Sequence, residues 1–89
     1  MEFEFDASKS AANKAKHGID FIEAQALWLD EDFVEGLARS GHEVRWIVIG
    51  RIAGLHWTAV VTIRQQRVRL ISARRARPRE VAIYERGGF

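Results

Sequence analysis

The sequence predicts an α+β domain in which helices pack on an antiparallel sheet. Two early segments each begin behind an aspartate able to cap a helix. Alternating apolar and polar residues then fill most of the chain from position 33 to position 74, as in strands. A proline near the end opens a last helical segment. The expected element order is β-α-α-β-β-β-β-α, in a single domain over residues 1–89.

The first elements are a short strand and a helix. Phenylalanine and glutamate alternate over Glu2–Phe5, which predicts a half-buried strand. Asp6 is a suitable N-cap for a helix that runs to about Lys16. Gly18 is expected to end this helix, because glycine readily adopts the left-handed conformation found at the C′ position.

A second helix is expected behind Asp20, because Glu23 stands three residues later and completes a capping-box pattern. This helix should end near Leu29, before a run of acidic residues. Its apolar residues recur at helical spacing and are Phe21, Ala24, Leu27 and Trp28.

Four strands are expected to follow as a meander. They are Phe33–Leu37, Val44–Arg51, Leu55–Arg64 and Arg67 to about Arg74, connected by Ser40-Gly41-His42, Ala53-Gly54 and Gln65-Gln66. A closing helix over roughly Pro78–Arg86 is expected because proline suits the first helical position, and Gly87-Gly88 would stop it.

Tight turns set the expected register, with residue 50 opposite residue 55 and residue 64 opposite residue 67. Alternation then sorts the side chains onto two faces, which a one-residue slip would exchange. One face is expected to be core: Val44, Trp46, Val48, Trp57, Ala59, Val61, Ile63, Val68 and Leu70. The other face is expected to hold Arg45, Ile47, Ile49, Arg51, His56, Thr58, Val60, Thr62, Arg64, Arg67, Arg69, Ile71 and Arg75. Because unpaired buried guanidinium groups are very costly, this arginine face should meet water, acidic groups or phosphates.

The charge distribution favours a nucleic-acid partner. Residues 1–43 contain ten acidic and four basic residues, whereas residues 44–89 contain two acidic residues and ten arginines, with no lysine. The planar guanidinium fork suits phosphate oxygens. Two alternatives stay open: a solvated surface that aids solubility, and arginines that pair with acidic groups of the first half or of a partner.

Other features of the sequence exclude several classes of protein and of binding site. The chain has no cysteine, so it forms neither a disulfide nor a thiolate zinc site. No apolar run approaches the ~20 residues that span a bilayer, and the acidic N-terminus is unlike a secretion signal. No glycine-rich phosphate loop or metal-ligand spacing is present. We therefore expect a cytoplasmic protein without membrane contact, metal or cofactor.

Three strings of residues are distinctive in their order and spacing. The first contains Phe3-Glu4-Phe5-Asp6, Lys9, Asn13, Lys16-His17-Gly18-Ile19, Phe21, Glu23 and Ala24. The second contains Glu43, Arg45 and Ile49-Gly50. The third contains Val68-Arg69-Leu70-Ile71-Ser72-Ala73-Arg74-Arg75-Ala76, Glu80 and Tyr84. Together they resemble the BrnT family. The sequence departs from the family where Phe5 replaces the usual tryptophan and where Val44 splits the usual Glu-Arg pair.

This resemblance implies a RelE-like fold and a toxin of a type II toxin–antitoxin system that cleaves RNA and arrests translation. It also implies two partners, RNA and a ribbon-helix-helix antitoxin of the BrnA kind, and a toxin–antitoxin hetero-oligomer. The competing hypothesis is a catalytically inactive toxin-like module that binds nucleic acid or the antitoxin.

RNA cleavage without a metal uses the ribose 2′-OH as nucleophile and requires a base, an acid and positive charge on the phosphate. The candidates for catalysis are Arg51, Arg69, Arg74, Arg75, His17 and Glu80. The candidates for RNA binding are Lys16, Arg45, His56, Arg64, Arg67 and Tyr84.

Structural roles compete with three of these candidates. His17 follows a helix end, where the helix dipole favours an imidazolium. His56 is more typical of an ordinary exposed strand position. Glu80 stands where it could simply pair with Arg74 or Arg75.

Overall fold

The secondary structure follows the expected order of strands and helices. The structure is a computed structural model that describes residues 1–38 and 41–89. Its elements are β1 (Phe3–Glu4), α1 (Ala7–His17), a 3₁₀ helix (Glu23–Leu29), β2 (Val34–Ala38), β3 (Arg45–Ile52), β4 (Leu55–Arg64), β5 (Arg67–Arg75) and α2 (Pro78–Glu85). The α+β class is therefore confirmed. Ser40 of the predicted Ser40-Gly41-His42 turn lies outside the described residues.

The described residues form a sheet of five strands in the order β1-β5-β4-β3-β2. Strands β2 to β5 form the expected antiparallel meander. Strand β1 pairs with β5 in parallel, with Phe3 beside Val68 and Glu4 beside Arg69. The prediction of a wholly antiparallel sheet is therefore wrong at this edge. Alternation of residue types reveals which face a side chain occupies, and it carries no information on strand direction.

The second predicted helix is a 3₁₀ helix, which corrects its type. The expected reciprocal contacts are present: the Asp20 carboxylate accepts the N–H groups of Ile22 and Glu23 at 2.9 and 2.7 Å, and the Glu23 carboxylate accepts the Asp20 N–H at 3.0 Å. The 3₁₀ helix itself begins later than expected, at Glu23. A 3₁₀ helix has three residues per turn, so residues three apart share one side. Three buried residues have this spacing: Phe21, Ala24 and Leu27.

The β3–β4 register differs from the expected one by two residues. Gly50 lies opposite Trp57, and Arg51 lies opposite His56. Because side chains alternate with a period of two, this shift leaves the assignment of faces unchanged. The turn residues Ala53 and Gly54 both have positive φ, at 50° and 82°, as in the type I′ turns that connect hairpins.

A β-bulge interrupts the β4–β5 pair and corrects the predicted position of Arg75. Arg64 lies opposite Arg67 as expected, but the register shifts between Val60 and Val61, so that Val61 faces Leu70 and Val60 faces Ser72. The extra residue, Ile71, reverses the alternation beyond it. Arg74 therefore lies opposite Thr58 on the arginine face, and Arg75 lies opposite Trp57 on the core face.

The core face lies beneath α1 and the 3₁₀ helix. The buried residues of this face and of the segments that cover it form one cluster: Ile19, Phe21, Ala24, Leu27, Val48, Ala59, Val61, Val68, Leu70 and Ala73. Two residues expected in this core are exposed, Val44 by 58% and Ile63 by 53%. Both lie near the end of the sheet formed by the start of β3 and the end of β4.

Helix α2 covers part of the arginine face. Ile83 and Tyr84 pack there in a second cluster with Val34 and Ile49. The expectation that this face meets water, acidic groups or phosphates is therefore wrong at Ile49, which is 0% exposed, whereas the buried Thr58 does contact the acidic side chain of Glu80. The apolar residues between the arginines provide the surface on which α2 packs.

Candidate functional site

Four arginines that we call the arginine strip lie on the α2 side of the sheet: Arg45, Arg64, Arg67 and Arg69. Each approaches a glutamate from the first half of the chain. Glu2 lies 3.3 Å from Arg67, Glu4 lies 3.1 Å from Arg69, and Glu43 lies 3.5 Å from Arg45 and 3.4 Å from Arg64. The strip with its three glutamates has a formal charge of only +1. The alternative of pairing within the chain is therefore observed for these four arginines.

Arg74 and Glu80 form a bidentate ion pair between β5 and α2. The guanidinium nitrogens lie 2.7 and 2.9 Å from the carboxylate oxygens. The Arg77 N–H and the Thr58 hydroxyl donate to the same carboxylate at 2.8 and 3.1 Å. Burial alone would raise the pKa of Glu80, but the hydrogen bonds and charge of Arg74, with these two donors, lower it to about 2. Both partners are therefore engaged in fixing the start of α2.

A different arrangement lies near the β3–β4 turn, and we call it the His56 cluster: Arg51, His56, Tyr84 and Glu85. Arg51 and His56 are direct partners on neighbouring strands. The His56 Nε2 lies 3.0 Å from the Glu85 Oε1, and the Tyr84 ring contacts the imidazole edge-on, with centroids 5.1 Å apart. The imidazole is 21% exposed, so solvent reaches it. A carboxylate that binds one ring nitrogen fixes the orientation of a histidine.

The backbone of His56 is also fixed. Its carbonyl oxygen accepts the Ala76 N–H at 3.0 Å and the Arg75 Nε–H at 3.2 Å. The guanidinium of Arg75 lies over the Trp57 ring, 5.5 Å from its centroid, which is a cation–π distance. Arg75 therefore reaches the His56 backbone from the core side of the sheet.

Asp30 connects the His56 cluster to the end of the 3₁₀ helix. Its Oδ2 accepts the Tyr84 hydroxyl at 2.8 Å and the Arg51 backbone N–H at 2.7 Å, and its Oδ1 accepts the Asp32 N–H at 2.9 Å. Burial and the Asp30 carboxylate raise the pKa of Tyr84 to about 12. For Asp30 itself, burial opposes ionisation, but the three donors lower its pKa on balance.

A groove of about 360 Å³ opens beside Arg51. Asp30, Asp32, Ile52 and Tyr84 contribute to its walls. The Arg51 side chain is exposed, and within residues 1–38 and 41–89 it has no carboxylate partner within 4.0 Å. Within that part of the chain the Arg51 guanidinium is therefore not held in an ion pair, although Asp30 and Asp32 line the same groove.

Most of the predicted site residues lie on the α2 side of the sheet, but Lys16, His17 and Arg75 do not. Lys16 and His17 form the end of α1, which is attached to the core side by hydrogen bonds between Asn13 and Ala73. Within the part of the chain that is described, no hydrogen bond or ion pair links Lys16 or His17 to the His56 cluster. The arginines are likewise divided between the strip, the Glu80 pair, Arg51 and Arg75.

Sequence reasoning missed two participants, Glu85 and Asp30. Glu85 reaches His56 only because α2 folds back over the arginine face. The pairing of Arg51 with His56, in contrast, did have a signal in the sequence. A two-residue turn over Ala53-Gly54 pairs Ile52 with Leu55 and therefore brings Arg51 opposite His56. Among the described residues, no three His, Asp or Glu side chains are grouped as metal ligands.

Comparison with known protein families identifies the family of this chain. Residues 5–80 match the family described as "Ribonuclease toxin, BrnT, of type II toxin-antitoxin system". The chain belongs to the BrnT toxin family. The expected family is thus confirmed, and with it a ribonuclease toxin whose class of system includes an antitoxin partner. A search of curated proteins gave no match for this BrnT-family chain. No helix within the described residues has the length and apolar character needed to cross a membrane.

Proposed function

We propose that this BrnT-family toxin cleaves RNA at the His56 cluster, without a metal ion. The observation that carries the proposal is the pairing of an oriented histidine with a neighbouring arginine that has no carboxylate partner among the residues that the structure describes. His56 is bound by Glu85 at one ring nitrogen, and Arg51 lies directly opposite it on β3. Proton transfer and phosphate neutralisation are the two requirements of the reaction.

The proposed reaction begins with the tautomer of His56 in which Nε2 carries the proton and donates a hydrogen bond to the Glu85 carboxylate. Nδ1 is unprotonated in this tautomer and removes the proton from a ribose 2′-OH. The 2′ oxygen attacks the adjacent phosphorus, and the bond from phosphorus to the 5′ oxygen breaks. The 5′ oxygen takes a proton from water, and the resulting hydroxide takes the proton held by His56. The products are a 2′,3′-cyclic phosphate and a 5′-hydroxyl. Arg51 binds the non-bridging oxygens, on which negative charge increases.

The remaining predicted residues take supporting roles in this proposal. Arg75 fixes the backbone of His56, and the Arg74–Glu80 pair fixes α2, so that Glu80 is a positioning residue and does not act as a base. Lys16, His17 and the arginine strip, which includes Arg69, contact the RNA away from the reaction centre. Tyr84 supports the imidazole.

The wider biology is proposed from the family. The chain would be a single domain with a RelE-like fold that acts in the cytoplasm and arrests translation by cutting RNA. A ribbon-helix-helix antitoxin of the BrnA kind would neutralise it in a hetero-oligomer.

The test is cleavage of a purified RNA oligonucleotide in the presence of a chelator. His56→Gln is expected to lower kcat by roughly 10²–10⁴-fold, the usual contribution of acid–base catalysis. Arg51→Ala is expected to lower it by roughly 10²–10³-fold, by analogy with loss of an oxyanion donor. The matched controls are His42→Gln and Arg79→Ala, which replace exposed residues outside the cluster.

The products give an independent readout. A 2′,3′-cyclic phosphate end is expected, and a substrate with 2′-deoxyribose at the cleaved position should stay intact. Uncut RNA with chelator present would leave the inactive binding module as the better description. Full activity of His56→Gln would move the reaction centre away from this cluster.

A further inference from the structure

An apolar groove of about 250 Å³ lies on the core face, near the end of the sheet that the helices leave open. Trp28, Trp46, Val61 and Val68 contribute to its walls. Neither the arginine strip nor the His56 cluster contributes to its lining, so the proposed reaction does not explain it.

Large apolar side chains surround this groove in exposed positions. Met1 and Ile63 line it and are 83% and 53% exposed. Leu37, which is 68% exposed, is the cross-strand partner of the lining residue Trp46. Contiguous exposed apolar surface on a small soluble domain marks a site of protein interaction. Two half-buried tryptophans in such a site are typical anchors of an interface.

We propose that this groove is the docking site of the antitoxin, which would insert a segment bearing apolar side chains and one basic residue. The identity of the partner rests on the toxin function stated above. The basic residue follows from the charge of the groove: among the described residues that line it, Glu35 alone has a charged side chain. A cation that faces Glu35 across an apolar contact gives the interface its orientation.

A second copy of the toxin fits this surface less well. Copies related by a two-fold axis present the same patch to each other, so a second copy would add another Glu35 carboxylate to the interface and no basic side chain from the lining of the groove. Like charges at an interface disfavour association. A partner with a complementary cation avoids this repulsion.

The groove is separate from the proposed reaction centre. Trp46 and Arg51 stand five residues apart on β3, which corresponds to about 17 Å along the strand, and their side chains point to opposite faces. Substitutions at the rim of the groove should therefore weaken antitoxin binding without changing RNA cleavage. This prediction separates docking from catalysis.

The experiment measures the Kd of the antitoxin encoded beside the toxin gene by titration calorimetry. Ile63→Glu and Leu37→Glu replace exposed residues, so both variants are expected to fold, which circular dichroism checks. Each should bind at least tenfold more weakly than the wild type. Glu35→Lys should bind about tenfold more weakly, since it places like charges together. The matched control is Ile22→Glu, at a residue that is 67% exposed and does not line the groove, and its Kd should be unchanged.

The outcomes distinguish this inference from the proposed function. Wild-type affinity in both Ile63→Glu and Leu37→Glu would overturn the docking site, even if the toxin cuts RNA. A toxin that leaves RNA uncut, yet loses its antitoxin with Ile63→Glu, would retain the docking site and remove the reaction. A wild-type dimer in sedimentation experiments that Ile63→Glu dissociates, without any change in antitoxin affinity, would assign the groove to a second copy and overturn the inference.

Discussion

The side-chain amide of Asn13 pairs with both backbone groups of Ala73. Its Nδ2 donates to the Ala73 carbonyl at 2.8 Å, and its Oδ1 accepts the Ala73 N–H at 3.3 Å. The same Nδ2 donates to the carbonyl of Ile19 at 2.8 Å. Asn13 thus acts as a neighbouring strand would at the outer edge of β5, just beyond the bulge that exchanges the faces taken by Arg74 and Arg75.

Replacing Asn13 tests this contact. Asn13→Ala removes the partners of three buried backbone groups, and unsatisfied buried groups cost about 1–3 kcal/mol each before water or relaxation compensates. We expect a loss of about 2–3 kcal/mol in the free energy of unfolding, measured by urea denaturation. Lys9→Ala, at an exposed position on the same helix, should change it by less than about 0.5 kcal/mol. Equal effects of the two substitutions would show that the amide contact is unimportant.

The bulge in β5 separates the features of the fold that could be predicted from the sequence from those that could not. The caps at Asp6 and Asp20 and the order of elements depend on local chemistry, which can be read from neighbouring residues. The position of Arg75 depends on Ile71 being the extra residue in β5. Nothing in the alternating segment around Ile71 distinguishes a bulged residue from a paired one, so the faces of Arg74 and Arg75 could not be predicted.

Glu80 should make the free energy of unfolding depend on pH in the acid range. Its pKa is about 2 in the folded protein against 4.5 for a free carboxyl. As the pH falls, the carboxyl group therefore takes up a proton in the unfolded chain before it does so in the folded protein. Its stabilisation of the folded state is complete above pH 4.5 and disappears as the pH falls to about 2. The lowering corresponds to about 3 kcal/mol. Chemical denaturation at several pH values should show the stability advantage of the wild type over Glu80→Gln shrinking across this interval.

Other carboxylates also titrate in acid, so a matched variant is needed. Glu31 is exposed and lies outside the Arg74 contact. The difference between the wild type and Glu31→Gln should stay nearly constant from neutral pH to acid. If Glu80→Gln behaves in the same way, the Arg74–Glu80 pair does not contribute the expected stability.

Tyr84 should ionise only in strong alkali. The protein has one tyrosine, so the near-ultraviolet absorbance of tyrosinate reports this residue alone. Burial and the Asp30 carboxylate raise its pKa to about 12, and the midpoint should return towards 10 in denaturant. Because the folded state keeps the proton more tightly, this contact stabilises the protein below pH 10 and ceases to do so as the pH rises to 12. Asp30→Asn should lower the midpoint, and an unchanged midpoint would exclude the carboxylate as a cause.

The candidate site was harder to predict than the fold, because charge counts do not reveal pairing. The ten arginines of the second half suggested one basic surface, yet Glu2, Glu4 and Glu43 lie beside four of them. These contacts join residues up to 65 positions apart, so they depend on the completed sheet. The partnership of Arg51 with His56 is different, since it follows from the length of one hairpin turn.

The turn between β4 and β5 offers a stabilising substitution. Gln65 and Gln66 both have positive φ, at 50° and 66°, where a side chain costs roughly 1 kcal/mol relative to glycine. Asn-Gly is the preferred pair for a type I′ turn, so the double substitution Gln65→Asn and Gln66→Gly should raise the free energy of unfolding by about 1 kcal/mol. The β3–β4 turn gives the reverse control: Gly54→Ala at φ 82° meets no neighbouring atom and should lower stability by a similar amount. A double variant no more stable than the wild type would show that this hairpin tolerates the left-handed glutamines without strain.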